Sequence, residues 1–268
     1  MSIRGKVIWL TGASSGIGEA LAYELARHKV KLILSARRKE ELERVKGNCH
    51  PLAQSDIRIL PFDLGESSTL QLISEAAVHL FGHVDILINN GGISQRSLAK
   101  ETVLAVDRKV MEVDYFGTIS ISKYLLPHFL KRKNGHFVVV TSAVGIVGTP
   151  YRTGYAAAKH ALHGFFDSLR AELWKESKTI YVTIVCPGWV RTNVSMNALL
   201  GDGSKLNQMD PTTMDGLDPK LVAKKIIKAI EEQKNEVYIG GFLPVFGIYL
   251  KRFFPDLYAR FVRTARVR

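Results

Sequence analysis

The chain has 268 residues, of which 46% are hydrophobic and 23% charged, enough apolar mass for the core of one ordinary domain and too much for a disordered or collagen-like chain. Thirty-seven Lys and Arg stand against 25 Asp and Glu, a formal charge of +12, which is compatible with an anionic ligand, a membrane surface or nucleic acid and does not choose among them. Cys49 and Cys186 are far apart and form no C-x-x-C pair, so neither a disulfide framework nor a metal site is expected, and a reducing, cytoplasmic setting is the default.

In chain order, Arg4 and Lys6 precede only four apolar residues, 7–10, too few for the core of a signal peptide. Buried strands are expected at 7–10, 32–34, 57–60, 86–88, 137–140, 181–185 and 236–239, short apolar runs rich in β-branched residues. Helices are expected between them at 18–28, 39–46, 68–81, 103–131 and 155–175. A further helix follows Asp218 as cap and Pro219 at its first position, with Leu221, Ile226, Ile227 and Ile230 on one stripe. This βαβα rhythm defines the α/β class, a doubly wound parallel sheet of about seven strands with helices on both faces. It runs to residue 241 without a repeat or linker, so residues 1–241 form one domain and 242–268 an aromatic, basic extension. The stretch 237–250 is uncharged but holds three glycines and a proline in fourteen residues, short of the roughly 18 that a spanning helix needs.

The first expected strand ends in a loop with Gly12, Ser14, Ser15, Gly16, Ile17 and Gly18. A helix starting inside such a loop presents unpaired N–H groups and its dipole to a phosphate, and the glycines let a ligand approach closely, which points to a dinucleotide. After the second strand come Arg37 and Arg38, where an NAD site usually places an acid. Two guanidiniums suit the 2′-phosphate of NADP, because a planar donor fork meets phosphate oxygens at two points.

Tyr155 and Lys159 are four apart and share a helix face. A free tyrosine has a pKa of ~10. An ammonium about 5 Å away at an effective dielectric of ~20 contributes about 3 kcal/mol, or about two pKa units, toward the phenolate. Ser142, directly after the 137–140 strand, is placed to hydrogen-bond a substrate carbonyl, although a strand-end serine also serves ordinary turns.

Together with Asn89-Asn-Gly-Gly92 and Pro187-Gly-Trp-Val-Arg-Thr192, these ordered segments resemble the short-chain dehydrogenase/reductase family, of the non-extended type, over nearly the whole chain. The run from Met196 through Asp-Gly-Ser at 202–204 and those at 209–213 and 243–244 are similar to its dehydrogenase/reductase member 7 group, including 7B-like proteins. Those relatives carry an amino-terminal membrane anchor; this chain opens at its first strand, so their location is not carried over. The resemblance implies a Rossmann-type fold, NADP(H) as cofactor, and carbonyl–alcohol interconversion in which Tyr155 exchanges the proton, Ser142 orients the carbonyl and Lys159 lowers the tyrosine pKa and holds the nicotinamide ribose. It further implies that Asp63 and Leu64 flank the adenine, that Asn89 and Gly91 line the groove, and that Pro187, Gly188, Val190 and Thr192 approach the nicotinamide. Val144 and Trp189 join Ser142 and Tyr155 around the substrate. Asp114 stands where relatives place an asparagine, and its charge is expected to offset part of the lysine's effect and slow turnover.

The loop 193–216 holds Met196, Met209 and Met214 with Leu199, Leu200 and Leu206, a composition suited to an adaptable lid over a hydrophobic substrate and equally to plain core packing. The extension carries seven aromatics, six Lys or Arg and one acid; peripheral membrane contact, closure of the pocket and a subunit interface all fit it. A homodimer or homotetramer is implied by the resemblance. A cofactor-binding sensor or scaffold that has lost catalysis is the alternative that Asp114 motivates. Nucleic-acid binding is not expected, because no basic stripe interleaved with stacking aromatics lies on the strands.

Overall fold

The computed structural model describes residues 1–264; residues 265–268 of the extension lie outside the described residues. Seven parallel strands form one sheet in the order β3-β2-β1-β4-β5-β6-β7: β1 (Val7–Thr11), β2 (Lys31–Ser35), β3 (Ile57–Ile59), β4 (Ile86–Asn89), β5 (Gly135–Val140), β6 (Ile180–Pro187) and β7 (Glu236–Ile239). β7 has its expected bounds, and each of the other strands lies within two residues of its expected ends. Both faces are buried, so successive side chains feed opposite cores. Ile8 and Leu10 of β1 and Val138 and Val140 of β5 enter one core, while Val7, Trp9, Phe137 and Val139 enter the other. The Trp9 indole N–H stays satisfied by donating to Ser35 Oγ at 2.9 Å.

Helices α1 (Gly16–Leu25) and α2 (Lys39–Asn48) cover the first face, and α3 (Leu70–Phe81) lies on the second. The expected single helix over 103–131 is three segments: α4 (Leu104–Met111), a π-helical turn (Glu112–Gly117) and α5 (Thr118–Arg132). Apolar periodicity predicts the axis but not this widened turn, which inserts a residue into the ladder and is common at functional sites. The long helix α6 (Thr153–Glu176) packs beside α5 on the second face. The loop 193–216 carries one short helix, α7 (Pro211–Met214), and α8 (Pro219–Glu231) returns to the first face. Asp218 caps α8 as its sequence implies, accepting from Lys220 N–H at 2.8 Å.

The extension forms α9 (Phe242–Phe253) and α10 (Pro255–Thr264). Ile248, Leu250 and Tyr258 of this pair pack on Ala143 and Val147. Lys251 Nζ donates to Ile146 O at 2.6 Å and Tyr258 Oη to Gly148 O at 2.7 Å, so the extension braces the loop that follows β5. Phe242, Phe253, Phe254 and Leu257 face outward, Phe242 at 82% exposure. Among the described residues no helix is long and apolar enough to cross a membrane.

Candidate active site

The chain reverses its direction of winding between β1 and β4, and a ligand crevice is expected beyond the carboxyl ends of those strands. A cleft of about 500 Å³ opens there, lined at one end by the β1–α1 loop and at the other by the 193–216 loop. Thr11 closes its floor: Oγ1 accepts from both Asn90 N–H and Gly91 N–H at 3.0 Å, tying β1 to β4. Gly12 has φ +63°, and a Cβ there would meet Gly91 Cα at 2.7 Å; Gly16 has φ +59° and faces Thr192. Only glycine fits a left-handed position with a backbone that close.

Of the expected cofactor residues, Gly12, Ser14, Ser15, Gly16, Ile17, Arg37, Arg38, Asp63, Leu64, Gly91, Pro187, Gly188, Val190 and Thr192 all line this cleft. Two do not. Asn89 is buried beneath it and donates from Nδ2 to Ser122 Oγ of α5 at 3.1 Å, while its neighbour Asn90 lines the cleft and donates to Thr11 O and Gly12 O at 3.2 Å. Alternation at the strand end sends adjacent side chains to opposite faces, and the pleat favours residue 90. Gly18 packs α1 against the loop: a Cβ there would stand 2.1 Å from Gly12 O.

The loop and α1 present a fitting anion cradle. Ser15 caps α1 without a side-chain hydrogen bond, leaving the first turn's N–H groups available. Arg37 and Arg38 line the same end, and Arg37 Nη1 lies 3.8 Å from Asp63 Oδ2.

Ser142, Val144, Tyr155, Lys159, Trp189 and Asp114 also line the cleft. Ser142 Oγ accepts from Val144 N–H at 3.2 Å, which leaves its own hydrogen free to donate. Tyr155 packs against Val106, Val110, Ala158 and Leu199, and Lys159 Nζ sits 5.5 Å from the centroid of its ring. One helical turn of α6 sets that separation.

Asp114 projects from the π-helical turn and is fully buried. Its Oδ2 lies 3.1 Å from Lys159 Nζ, and its Oδ1 accepts from Ile93 N–H at 2.7 Å. A Cβ on Gly92 would stand 3.1 Å from both carboxylate oxygens and 3.2 Å from Nζ, so a glycine there makes room for the pair. Burial pushes the Asp114 carboxyl above its ordinary pKa against the pull of Lys159. Burial also works against the ammonium, but Asp114 and the Tyr155 phenol outweigh it and hold Lys159 above its usual value.

The 193–216 loop contributes Asn193, Val194, Asn197, Leu199, Lys205 and Thr213 to the cleft, whereas none of the loop's three methionines lines it; Met196 and Met214 face outward. The lid is therefore mixed in polarity rather than a methionine surface. Arg96, Lys109 and Arg152 line the cleft too; no motif or spacing marks them, since they reach it from three separate segments. Pro244 of α9 completes the wall. Away from the cleft, His163, Cys186 and Glu236 stand within 4.8 Å of one another, a grouping that sequence separation hides; Cys186 Sγ lies 3.6 Å from Glu236 Oε1, and His163 Nε2 3.0 Å from Thr141 Oγ1.

A parallel sheet in this order with its cleft at the β1–β4 divergence defines a doubly wound nucleotide-binding protein. Residues 6–201 match the family model described as short chain dehydrogenase. The chain is 41% identical over 257 residues to a Drosophila melanogaster protein described as dehydrogenase/reductase SDR family protein 7-like, covering 95% of this chain and 78% of that protein. It is 49% identical over 202 residues to human dehydrogenase/reductase SDR family member 7, covering 74% of this chain and 59% of the human protein. It therefore belongs to the short-chain dehydrogenase/reductase family of oxidoreductases. A short-chain dehydrogenase/reductase from Burkholderia phymatum in complex with NAD superposes with a TM-score of 0.83 at 22% identity over 96% of each chain. An alcohol dehydrogenase from Thermococcus sibiricus complexed with 5-hydroxy-NADP gives 0.74 at 25% identity over 89% of this chain and 97% of that one.

Proposed function

We propose that the protein is an NADP(H)-dependent oxidoreductase that interconverts a carbonyl and a secondary alcohol on a small molecule with a hydrophobic body. The observation that carries this reading is the convergence of Ser142, Tyr155 and Lys159 on the same cleft as the glycine loop and the Arg37–Arg38 pair. Held by the glycine loop, Arg37, Arg38 and Lys159, a nicotinamide cofactor would supply the hydride chemistry. The neighbours bind NAD in one case and 5-hydroxy-NADP in the other, so preference falls to local residues, and Arg37 and Arg38 favour the 2′-phosphate.

In reduction Tyr155 Oη gives its proton to the carbonyl oxygen, and in oxidation it takes one from the hydroxyl. Ser142, whose Oγ lone pair is engaged by Val144 N–H, donates to the same oxygen and fixes its direction. Lys159 stabilises the negative charge left on Oη. Val144, Val147, Trp189 and Leu199 supply apolar walls. Asp114 moderates the charge of Lys159 and so the rate; this pair is also what supports the alternative reading of a cofactor-binding sensor with little turnover. Pro244 in the wall and the packing of α9 and α10 on residues 143–148 favour closure of the pocket as one role of the extension, its outward aromatics favouring peripheral membrane contact as a second. A cytoplasmic location and a homodimer or homotetramer complete the proposal.

The test is NADPH and NADH oxidation across a carbonyl panel with the wild type and Tyr155→Phe. The reading requires NADPH-dependent turnover that the variant loses by about 10²–10⁴-fold while still binding cofactor. Cofactor binding without turnover across the panel would leave the sensor.

A further inference from the structure

The cleft holds more positive charge than the proposed transfer uses. Lys159 is paired with Asp114 and Arg37 approaches Asp63. Arg96 and Arg152 instead share one carboxylate: Asp210 Oδ2 lies 3.0 Å from Arg152 Nη2 and 3.4 Å from Arg96 Nε. Their side chains are only 11% and 5% exposed, and both line the cleft. Two guanidiniums thus meet at one carboxylate with little access to bulk water, and Lys109 and Lys205 in the same lining add positive charge. Burial lowers the pKa of both arginines, Arg152 to about 10, and a guanidinium is protonated in ordinary protein sites.

A strap holding the lid to the core would need only one of these cations. Burying a second guanidinium carries a desolvation cost unless its hydrogen bonds are completed. The hydrogen bonds of Arg96 are incomplete. Nη1 donates to Ser94 Oγ at 2.8 Å and Gln95 O at 3.0 Å, Nε has only the long 3.4 Å contact with Asp210 Oδ2, and Nη2 has no acceptor among the described residues. Arg152 caps the amino end of α6, three residues before Tyr155, and Arg96 meets it at Asp210, which sets both arginines toward the reacting end of the cleft.

We infer that Arg96, seated with Arg152 on Asp210, binds an anionic oxygen group of the substrate, a carboxylate or a phosphate monoester, so that the preferred substrate is an amphiphilic acid carrying the carbonyl or alcohol. This rests on the proposed reductase reading and narrows its substrate class. The apolar walls take the chain, the guanidinium takes the charged end in its fork, and the carbonyl is left beside Ser142 and Tyr155.

Calorimetric titration of the protein at saturating NADPH with octanoate, octyl phosphate and 1-octanol reads the anion site without turnover. At least one anion is expected to bind tenfold or more tightly than 1-octanol, and which of the two does so separates carboxylate from phosphate. Arg96→Gln should erase the difference and Arg96→Lys keep part of it. Equal binding of 1-octanol and both anions by the wild type overturns the inference whether or not the variants fold, as does undiminished anion affinity in a folded Arg96→Gln. In the activity arm, 4-oxononanoate should exceed its methyl ester tenfold in kcat/KM, the gap closing in Arg96→Gln mainly through KM. Equal turnover of acid and ester sinks the anion site and leaves the reductase. Anion-selective binding with no NADPH oxidation on either compound or across the carbonyl panel sinks the reductase and leaves the anion site.

Discussion

Asp114 Oδ2 lies 3.1 Å from Lys159 Nζ, with both side chains out of solvent and Ile93 N–H donating to the other carboxylate oxygen. The lysine that would stabilise charge on Tyr155 therefore spends part of its own charge on a neighbour. Asp114→Asn should keep or raise kcat at pH 7 and move the alkaline pH optimum to lower pH, because a neutral amide no longer offsets the ammonium. The same change leaves a buried cation without its counter-charge, so unfolding should become easier by about 3 kcal/mol. A pH–rate profile beside a denaturant titration checks both; complete loss of turnover in a folded variant contradicts the role assigned to Asp114.

Arg37 and Arg38 line the end of the cleft next to the α1 amino terminus. Replacing both with alanine should raise KM for NADPH by about 10- to 100-fold, the equivalent of one or two charge-assisted contacts, and leave KM for NADH nearly unchanged. Equal weakening toward both cofactors would show that the pair does not read the 2′-phosphate.

His136 is buried on β5, and burial pushes its pKa down to about 3. Thr183 Oγ1 donates to Lys234 O, so the 2.8 Å contact from His136 Nε2 is a donation from the ring, and burial keeps the imidazole neutral. The unfolded chain takes up this proton near pH 6.5 and the folded chain near 3. Stability is thus complete above about 6.5 and declines as pH falls toward 3. This group alone should remove roughly 3 kcal/mol between pH 7.5 and 4.5. His136→Phe should flatten that slope in urea unfolding measured across the interval; an unchanged slope would refute the assignment.

Phe253, Phe254 and Leu257 stand outward at the junction of α9 and α10, with Lys251, Arg252 and Arg260 in the same two helices. If this face meets lipid, the protein should pellet with vesicles containing anionic phospholipid, and Phe253→Ser with Phe254→Ser should release it without loss of fold. Binding that survives the double change places the contact elsewhere.

Most of the fold was legible because its signals are local. A buried strand in a parallel sheet must be continuously apolar, as residues 137–140 are, and the i, i+4 spacing of Tyr155 and Lys159 already sets one helical face. Gly12 and Gly16 likewise announce a left-handed turn that other residues resist. Tertiary structure decided what depends on phase and on distant segments. The pleat at the end of β4 turned Asn90 rather than Asn89 to the cleft, and the widened turn at residues 112–117 carried Asp114 onto Lys159. Arg96, Arg152 and Asp210 come from three stretches of chain, and only folding the 193–216 loop over the sheet brings their charges together; a sequence carries their number, while the interaction between them depends on separation and on the water that folding excludes.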